Sequence, residues 1–181
     1  MTRNSTILKT VISGAVLLFG VVAHGETTAQ IDRQANAALN LLYAENAGNR
    51  ELVRKAAAVL VFPGITKAGA GIGGEFGEGA LKVHGSTVGY YKVTGASLGA
   101  TLGVAKRSEV ILFMTDEARQ KFVDSKGWTI GADTAVAIVK GAGSDLDSET
   151  LQRPVLAMVF DEKGLIADVS LEGTKVTKLD Q

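Results

Sequence analysis

The chain of 181 residues has no cysteine, two prolines, two histidines and one tryptophan. Without thiols there is no disulfide, no cysteine to carry a lipid anchor and no thiolate ligand, so the fold is held by its core alone. His24 lies in an N-terminal segment read below as removed, which leaves His84 as the single histidine and excludes zinc and other nitrogen- or sulfur-ligand sites. No metal and no cofactor is expected. Charge of one sign is lacking too, with 19 basic against 19 acidic residues. Setting aside Arg3 and Lys9 with the first 25 residues leaves 17 against 19, or −2, so no global field favours nucleic acid. Glycine, by contrast, is abundant, at 22 residues.

The N-terminus carries Arg3 and Lys9, an apolar run from Val11 to Val22 and a small-x-small sequence, Ala23-His24-Gly25. This is the layout of a secretory signal, with cleavage expected after Gly25 and a periplasmic or secreted mature chain. The apolar run is shorter than the ~20 residues of a spanning helix, and a retained anchor is the alternative reading. Residues 26–181 are long enough for one domain, and neither an internal repeat nor a low-complexity linker divides them.

Glycine concentrates in VFPGITKAGAGIGGEFGEGALKV, residues 61–83, at Gly64, Gly69, Gly71, Gly73, Gly74, Gly77 and Gly79. Each glycine inside a helix costs about 1 kcal/mol relative to alanine, so this segment is extended or turning backbone. Gly69, Gly71 and Gly73 alternate and leave one bare strand face where another backbone can approach. GAGIGG matches the dinucleotide pattern GxGxxG, but Gly77 and Gly79 follow where a helix would have to open, which argues against a pyrophosphate site.

Ahead of this stretch, Thr27 and Gln30 form a capping box, and Ile31, Ala35, Ala38 and Leu42 recur on one helical stripe, predicting a helix over about 28–45. A second helix, Arg50 to Ala57, is expected to be capped by Asn49. Strands are expected at Val59–Phe62, Ala68–Phe76, Ala80–His84, Val88–Thr94 and Val110–Met114, mostly parted by glycine-containing turns. Thr115 caps a two-turn helix carrying Ala118 and Phe122. Further strands are expected at Ala135–Val139 and Val155–Phe160, with a hairpin through Gly164 to Leu165–Leu171. The fold class is α+β: N-terminal helices followed by a curved, mostly antiparallel, glycine-rich sheet, with closure towards a barrel left open.

Gly95-Ala96-Ser97-Leu98-Gly99 matches the nucleophile-elbow pattern GxSxG, but no histidine follows Ser97, so it reads as a connection built from small residues. Asp145, Asp147 and Glu149 alternate as hard-cation ligands do, yet the glycine and twelfth-position glutamate of an EF-hand are missing, and a solvated acidic loop is the plainer reading. With no acid, base and nucleophile set, the chain is not read as an enzyme. Arg33, Arg50, Arg54 and Lys55 lie on the helices, and Tyr90, Tyr91 and Trp128 are residue types suited to a headgroup region. An amphipathic helix of this kind either meets a membrane surface or packs on its own sheet, and both readings stay open.

The order Ala57-Ala58-Val59-Leu60, Val61-Phe62-Pro63, Lys67-Ala68-Gly69, Gly73-Gly74 and Gly77-Glu78-Gly79, resumed at Lys163-Gly164-Leu165 and Ser170-Leu171-Glu172-Gly173, resembles the SYLF domain family. Asp168 departs from the small residue or glycine of the family pattern. The resemblance, spanning most of the chain after residue 30, implies one domain over 26–181 that binds phosphoinositide-like or other anionic lipids at a membrane surface without catalysis. It directs attention to the first helix and its surroundings, with Ile31, Leu42, Arg33, Arg50, Arg54 and Lys55 as the lipid-contacting candidates. Gly69, Gly71, Gly73, Gly74, Gly77 and Gly79 are the structural glycines. Some relatives bind actin, a partner not expected for an exported chain. The alternative is a structural or stress-related envelope protein that acts through protein contacts at a sheet edge.

Overall fold

A computed structural model describes residues 26–139, 148–161, 163–166 and 170–180, with the backbone alone at 70–72 and 97–102. The expected signal, Asp145, Asp147 and Asp168 lie outside the described residues. Helix α1, Thr28–Glu45, starts at the expected capping box: Thr27 accepts from the Gln30 amide while the Gln30 side chain accepts from the Thr27 amide. Helix α2, Ala47–Lys55, begins three residues before the expected start. Asn46 is its cap, accepting from the Gly48 amide at 2.6 Å, whereas Asn49 is fully buried inside the helix and donates to the Leu42 carbonyl at 3.1 Å. Asn49 therefore staples the two helices and does not cap the second.

The five strands expected between Val59 and Met114 are two. Strand β1, Ala58–Val83, and strand β2, Ser86–Phe113, pair antiparallel along almost their full lengths, joined by a tight turn at His84–Gly85 where φ is +49° and +83°. The intervening glycines do not turn the chain; they bend a continuous ribbon. Register shifts between Phe62 and Ile65 and between Ala70 and Ile72 mark the bends. A straight strand would separate Ile65 and Gly77 by roughly 40 Å. Instead a Cβ placed on Gly77 would stand 3.1 Å from Ile65 Cα, and one on Gly79 would collide with the Val61 carbonyl oxygen and the Phe62 ring. The ribbon doubles back on itself, and at Gly77 and Gly79 β1 meets its own earlier residues Ile65, Val61 and Phe62. The close approach expected at Gly69, Gly71 and Gly73 falls where the surrounding side chains, at 70–72 and 97–102, lie outside the described residues.

Helix α3, Asp116–Asp124, follows β2 with Thr115 accepting from the Ala118 amide, as expected. Then come β3 (Trp128–Thr129), β4 (Ala137–Ile138), α4 (Ser148–Leu151), β5 (Val155–Asp161), β6 (Gly164–Leu165) and β7 (Lys175–Lys178). The predicted hairpin is present, with Gly164 at φ +120°, but its second arm is two residues long. Among the described residues one sheet of seven strands results, curled into a half-barrel. All pairings between its strands are antiparallel except β4 with β5.

Both sheet faces are covered, which explains why Val155–Phe160 is a continuous apolar run instead of an alternating one. Leu156, Met158 and Phe160 face Ile31, Ala35, Leu42 and Leu52 of the two N-terminal helices, while Val155, Ala157 and Val159 face the concave side. There Phe122 of α3 packs on Phe113, Tyr91 and Trp128 at centroid distances of 4.8, 4.8 and 5.3 Å. Tyr91 and Trp128, expected near a lipid headgroup region, are core residues, 5% and 3% exposed.

Candidate functional site

The α1 stripe resolves the choice left open by the sequence. Ile31, Ala35 and Leu42 are fully buried against the sheet, so Ile31 and Leu42 are not lipid-facing in this conformation and their role is packing. Of the four candidate cations, Arg50 and Arg54 come together and Arg33 stands apart on the exposed face of α1. Lys55 is exposed, with its ammonium 3.8 Å from Glu51.

Arg50 and Arg54 line a groove of about 420 Å³ between α1, α2 and the turn end of the ribbon. Its apolar side is Leu39, Tyr43, Val53, Ala56 and Val59, and its polar rim is Arg50, Arg54, Lys82 and His84. Arg50 stacks over the Tyr43 ring at 4.8 Å, which holds the guanidinium plane against the wall. Burial, opposed by the Arg50 charge, raises the Tyr43 pKa. The Arg54 guanidinium is forked onto Glu51 at 2.8 and 3.1 Å. Both partners are largely exposed, so this ion pair is exchangeable with an incoming anion.

Lys82 and the turn were missed as site residues, because a lysine near the end of a strand reads as surface. The structure makes Lys82 only 6% exposed. Its ammonium donates to Thr87 Oγ1 at 3.1 Å, Thr87 donates to Asp32 Oδ1 at 2.6 Å, and the Tyr90 hydroxyl donates to Asp32 Oδ2 at 2.9 Å. The Thr87 hydrogen bond, opposed by burial and aided by Tyr90 and Lys82, holds the Asp32 carboxyl below its usual range. This network ties α1 to the ribbon and fixes one wall of the groove.

A second groove, about 460 Å³, opens on the other flank of α1, lined by Leu41, Pro63, Gly64, Lys106, Ser108, Asp161 and Lys163 among others. Leu41 lines it while Leu39 and Tyr43 line the first, as expected for side chains about 200° apart on a helix. Inside the half-barrel near this groove sits a charged cluster. Arg107 Nη2 lies 2.9 Å from Glu75 Oε2, close enough to pair although not aligned as a hydrogen bond, and 3.8 Å from Glu109 Oε2. Glu109 is fully buried and neither of its oxygens meets a hydrogen-bond donor. Burial, opposed by Arg107 and reinforced by the Glu75 charge, pushes its carboxyl up to about 7.

Ser97 lies within β2 opposite Gly73, and the strand continues through it, so the elbow pattern is neither a strand-to-helix turn nor the connection expected from its small residues. Glu149 sits on α4 and pairs with Arg153 at 2.9 Å. Among the described residues no three His, Cys, Asp or Glu side chains gather as a metal site, and no helix is long and apolar enough to cross a membrane.

No curated protein matches the chain. The family model of Ysc84, described as Las17-binding protein actin regulator, matches residues 94–181, from the middle of the ribbon to the C-terminus. That span holds Lys163-Gly164-Leu165 and Ser170-Leu171-Glu172-Gly173, while the first motif block and the helices that wall the first groove precede it. Over residues 94–181 the chain is similar to the Ysc84, or SYLF, family.

Proposed function

We propose that this chain is a non-catalytic module that binds anionic lipid at a membrane surface of the cell envelope, working in the periplasm or outside the cell after loss of residues 1–25. The observation that carries the reading is the first groove, where an apolar wall and a cationic rim share one cleft of a size suited to a small amphiphile. Planar guanidinium groups match phosphate oxygens in pairs, and Lys82 adds a partly desolvated ammonium beside them. The apolar wall accepts the first carbons beyond the headgroup. Association of the family with lipids supports this choice of ligand. Actin, also associated with the family, is not proposed as a partner of an exported chain.

Charge reversal at Arg50 and Arg54 tests the reading. Arg50→Glu with Arg54→Glu is expected to abolish co-sedimentation with vesicles containing phosphatidylglycerol while leaving the urea midpoint nearly unchanged, since both side chains are exposed. Undiminished co-sedimentation of the double variant would remove the groove as the lipid site.

A further inference from the structure

Apart from Glu75, whose carboxylate turns into the charged cluster beside Arg107, the described side chains in the ribbon's doubled-back middle lie outside the two core clusters. Beyond Ile65 and Gly77, where β1 touches itself, residues 66–76 of β1 and the facing part of β2 loop out as a two-stranded apex. The partners of the outer edge of β2 stop short of it, β7 pairing at 91–94 and β5 at 108–113. Residues 68–74 and 95–105 contain no charged side chain. Large apolar side chains stand in the open here: Val104 is 72% exposed and Phe76 50%, beside exposed Ala68, Ala96 and Ala105. At the base of the apex Lys67 pairs with Ala105 and Lys106 with Thr66. Because cross-strand partners share a face and neighbours alternate, one lysine emerges on each face of the ribbon. The second groove, with Lys106, Lys163 and the 59% exposed Leu41, opens at the same base.

We infer that this apex is an insertion finger that enters the interfacial layer of an anionic bilayer, with Lys67 and Lys106 as a collar at the phosphates. The inference rests on the lipid-binding reading above and adds where the apolar layer is met. Three observations select a bilayer as the occupant. The outer part of the apex, residues 68–74 and 95–105, is uncharged, and at its base Glu75 is paired with Arg107 while Lys67 and Lys106 stand on the two ribbon faces, which is the order of layers met on entering an anionic membrane. A second copy docking by the same apex would bring two lysine collars together, a like-charge contact that disfavours self-association. Depth agrees as well: an arm of three to four strand residues reaches roughly 10 Å, past a headgroup layer of roughly 5–8 Å. Among the described residues no strand pairs with the outer edges of the apex, so it stops at the interface and does not span the hydrocarbon.

Because the chain lacks cysteine, Val104→Cys supplies a single thiol for an environment-sensitive fluorophore. With phosphatidylglycerol vesicles, the label at position 104 is expected to shift to the blue and to be quenched by brominated acyl chains, while a label at Asp124→Cys on α3 stays aqueous. In parallel, Val104→Asp with Phe76→Ser is expected to lower vesicle affinity at least about tenfold, since a charge must then enter the apolar layer. Circular dichroism and the urea midpoint verify that this variant folds, as exposed positions permit. If the double variant and the label at 104 ignore vesicles that the unaltered chain binds, the finger is overturned while the groove stands. If Val104→Asp instead dissociates an oligomer and leaves vesicle binding intact, a second copy is the occupant and the finger is likewise overturned. Absence of any binding by the unaltered chain overturns the lipid reading itself.

Discussion

Replacing Glu109 with glutamine should stabilise the protein at neutral and alkaline pH and do nothing in acid. The carboxyl is fully buried, neither oxygen meets a donor, and the single guanidinium nearby is closer to Glu75. Its pKa rises from the ordinary 4.5 to about 7, chiefly through burial. Below pH 4.5 the group is neutral in folded and unfolded chains alike, so parent and Glu109→Gln track each other. Between 4.5 and about 7 the unfolded chain releases the proton that the folded chain keeps, and the parent loses stability as the pH rises. Above about 7 the loss is complete, and the interval corresponds to about 3 kcal/mol. With a urea slope of about 2 kcal/mol/M, Glu109→Gln should unfold roughly 1.5 M later than the parent at pH 8 and together with it at pH 4.5. Urea titrations followed by circular dichroism across this range read the difference directly. A gap between the two proteins that stays constant with pH, or a variant less stable at pH 8, would refute the reasoning.

Three other perturbations follow from the same contacts. Gly79→Ala drives a methyl group into the Val61 carbonyl and the Phe62 ring and should cost about 1–3 kcal/mol, whereas Gly64→Ala, with nothing within 4 Å, should change the stability measured by urea unfolding by no more than about 0.5 kcal/mol. Asp32→Ala removes the acceptor shared by Thr87 and Tyr90 and leaves Lys82 without its nearby countercharge, an expected loss of about 1–2 kcal/mol, measured by thermal or urea unfolding. Mass spectrometry of the natively produced chain should find Glu26 as the first residue; an intact Met1–Gly25 segment would contradict export with cleavage.

Local chemistry made part of this molecule legible in the sequence. The Thr27–Gln30 capping box fixed the start of α1, and the spacing of Ile31, Ala35 and Leu42 marked its buried face, because both signals act within one or two turns. The helix at Asp116–Asp124 and the Gly164 hairpin were readable for the same reason. What the sequence hid was non-local. Glycine marks both turns and bends, so one continuous ribbon read as a series of hairpins until the contact of Gly79 with Val61 showed the strand folding over itself. Trp128 and Tyr91 have the chemistry of interfacial residues, and the rings of Phe122 and Phe113 with the rest of the concave-side cluster make them core. In the candidate site, Arg50 and Arg54 were identifiable as helix cations, but Lys82 became part of the same groove through the Asp32 network, which joins positions more than 50 residues apart.

The central claim, that the chain binds anionic lipid through exposed cations, is tested most directly by co-sedimentation of the unaltered chain with phosphatidylglycerol and phosphatidylcholine vesicles as salt is raised. Each basic residue near an anionic surface contributes about 1 kcal/mol, and the Debye length falls from about 10 Å at 0.1 M salt to about 3 Å at 1 M. Binding to phosphatidylglycerol should therefore be strong at low salt and lost by 1 M, on the order of the ionic strength that screens contact distances, with little binding to phosphatidylcholine at any salt. Equal binding to both vesicle types, unchanged across the salt range, would contradict it.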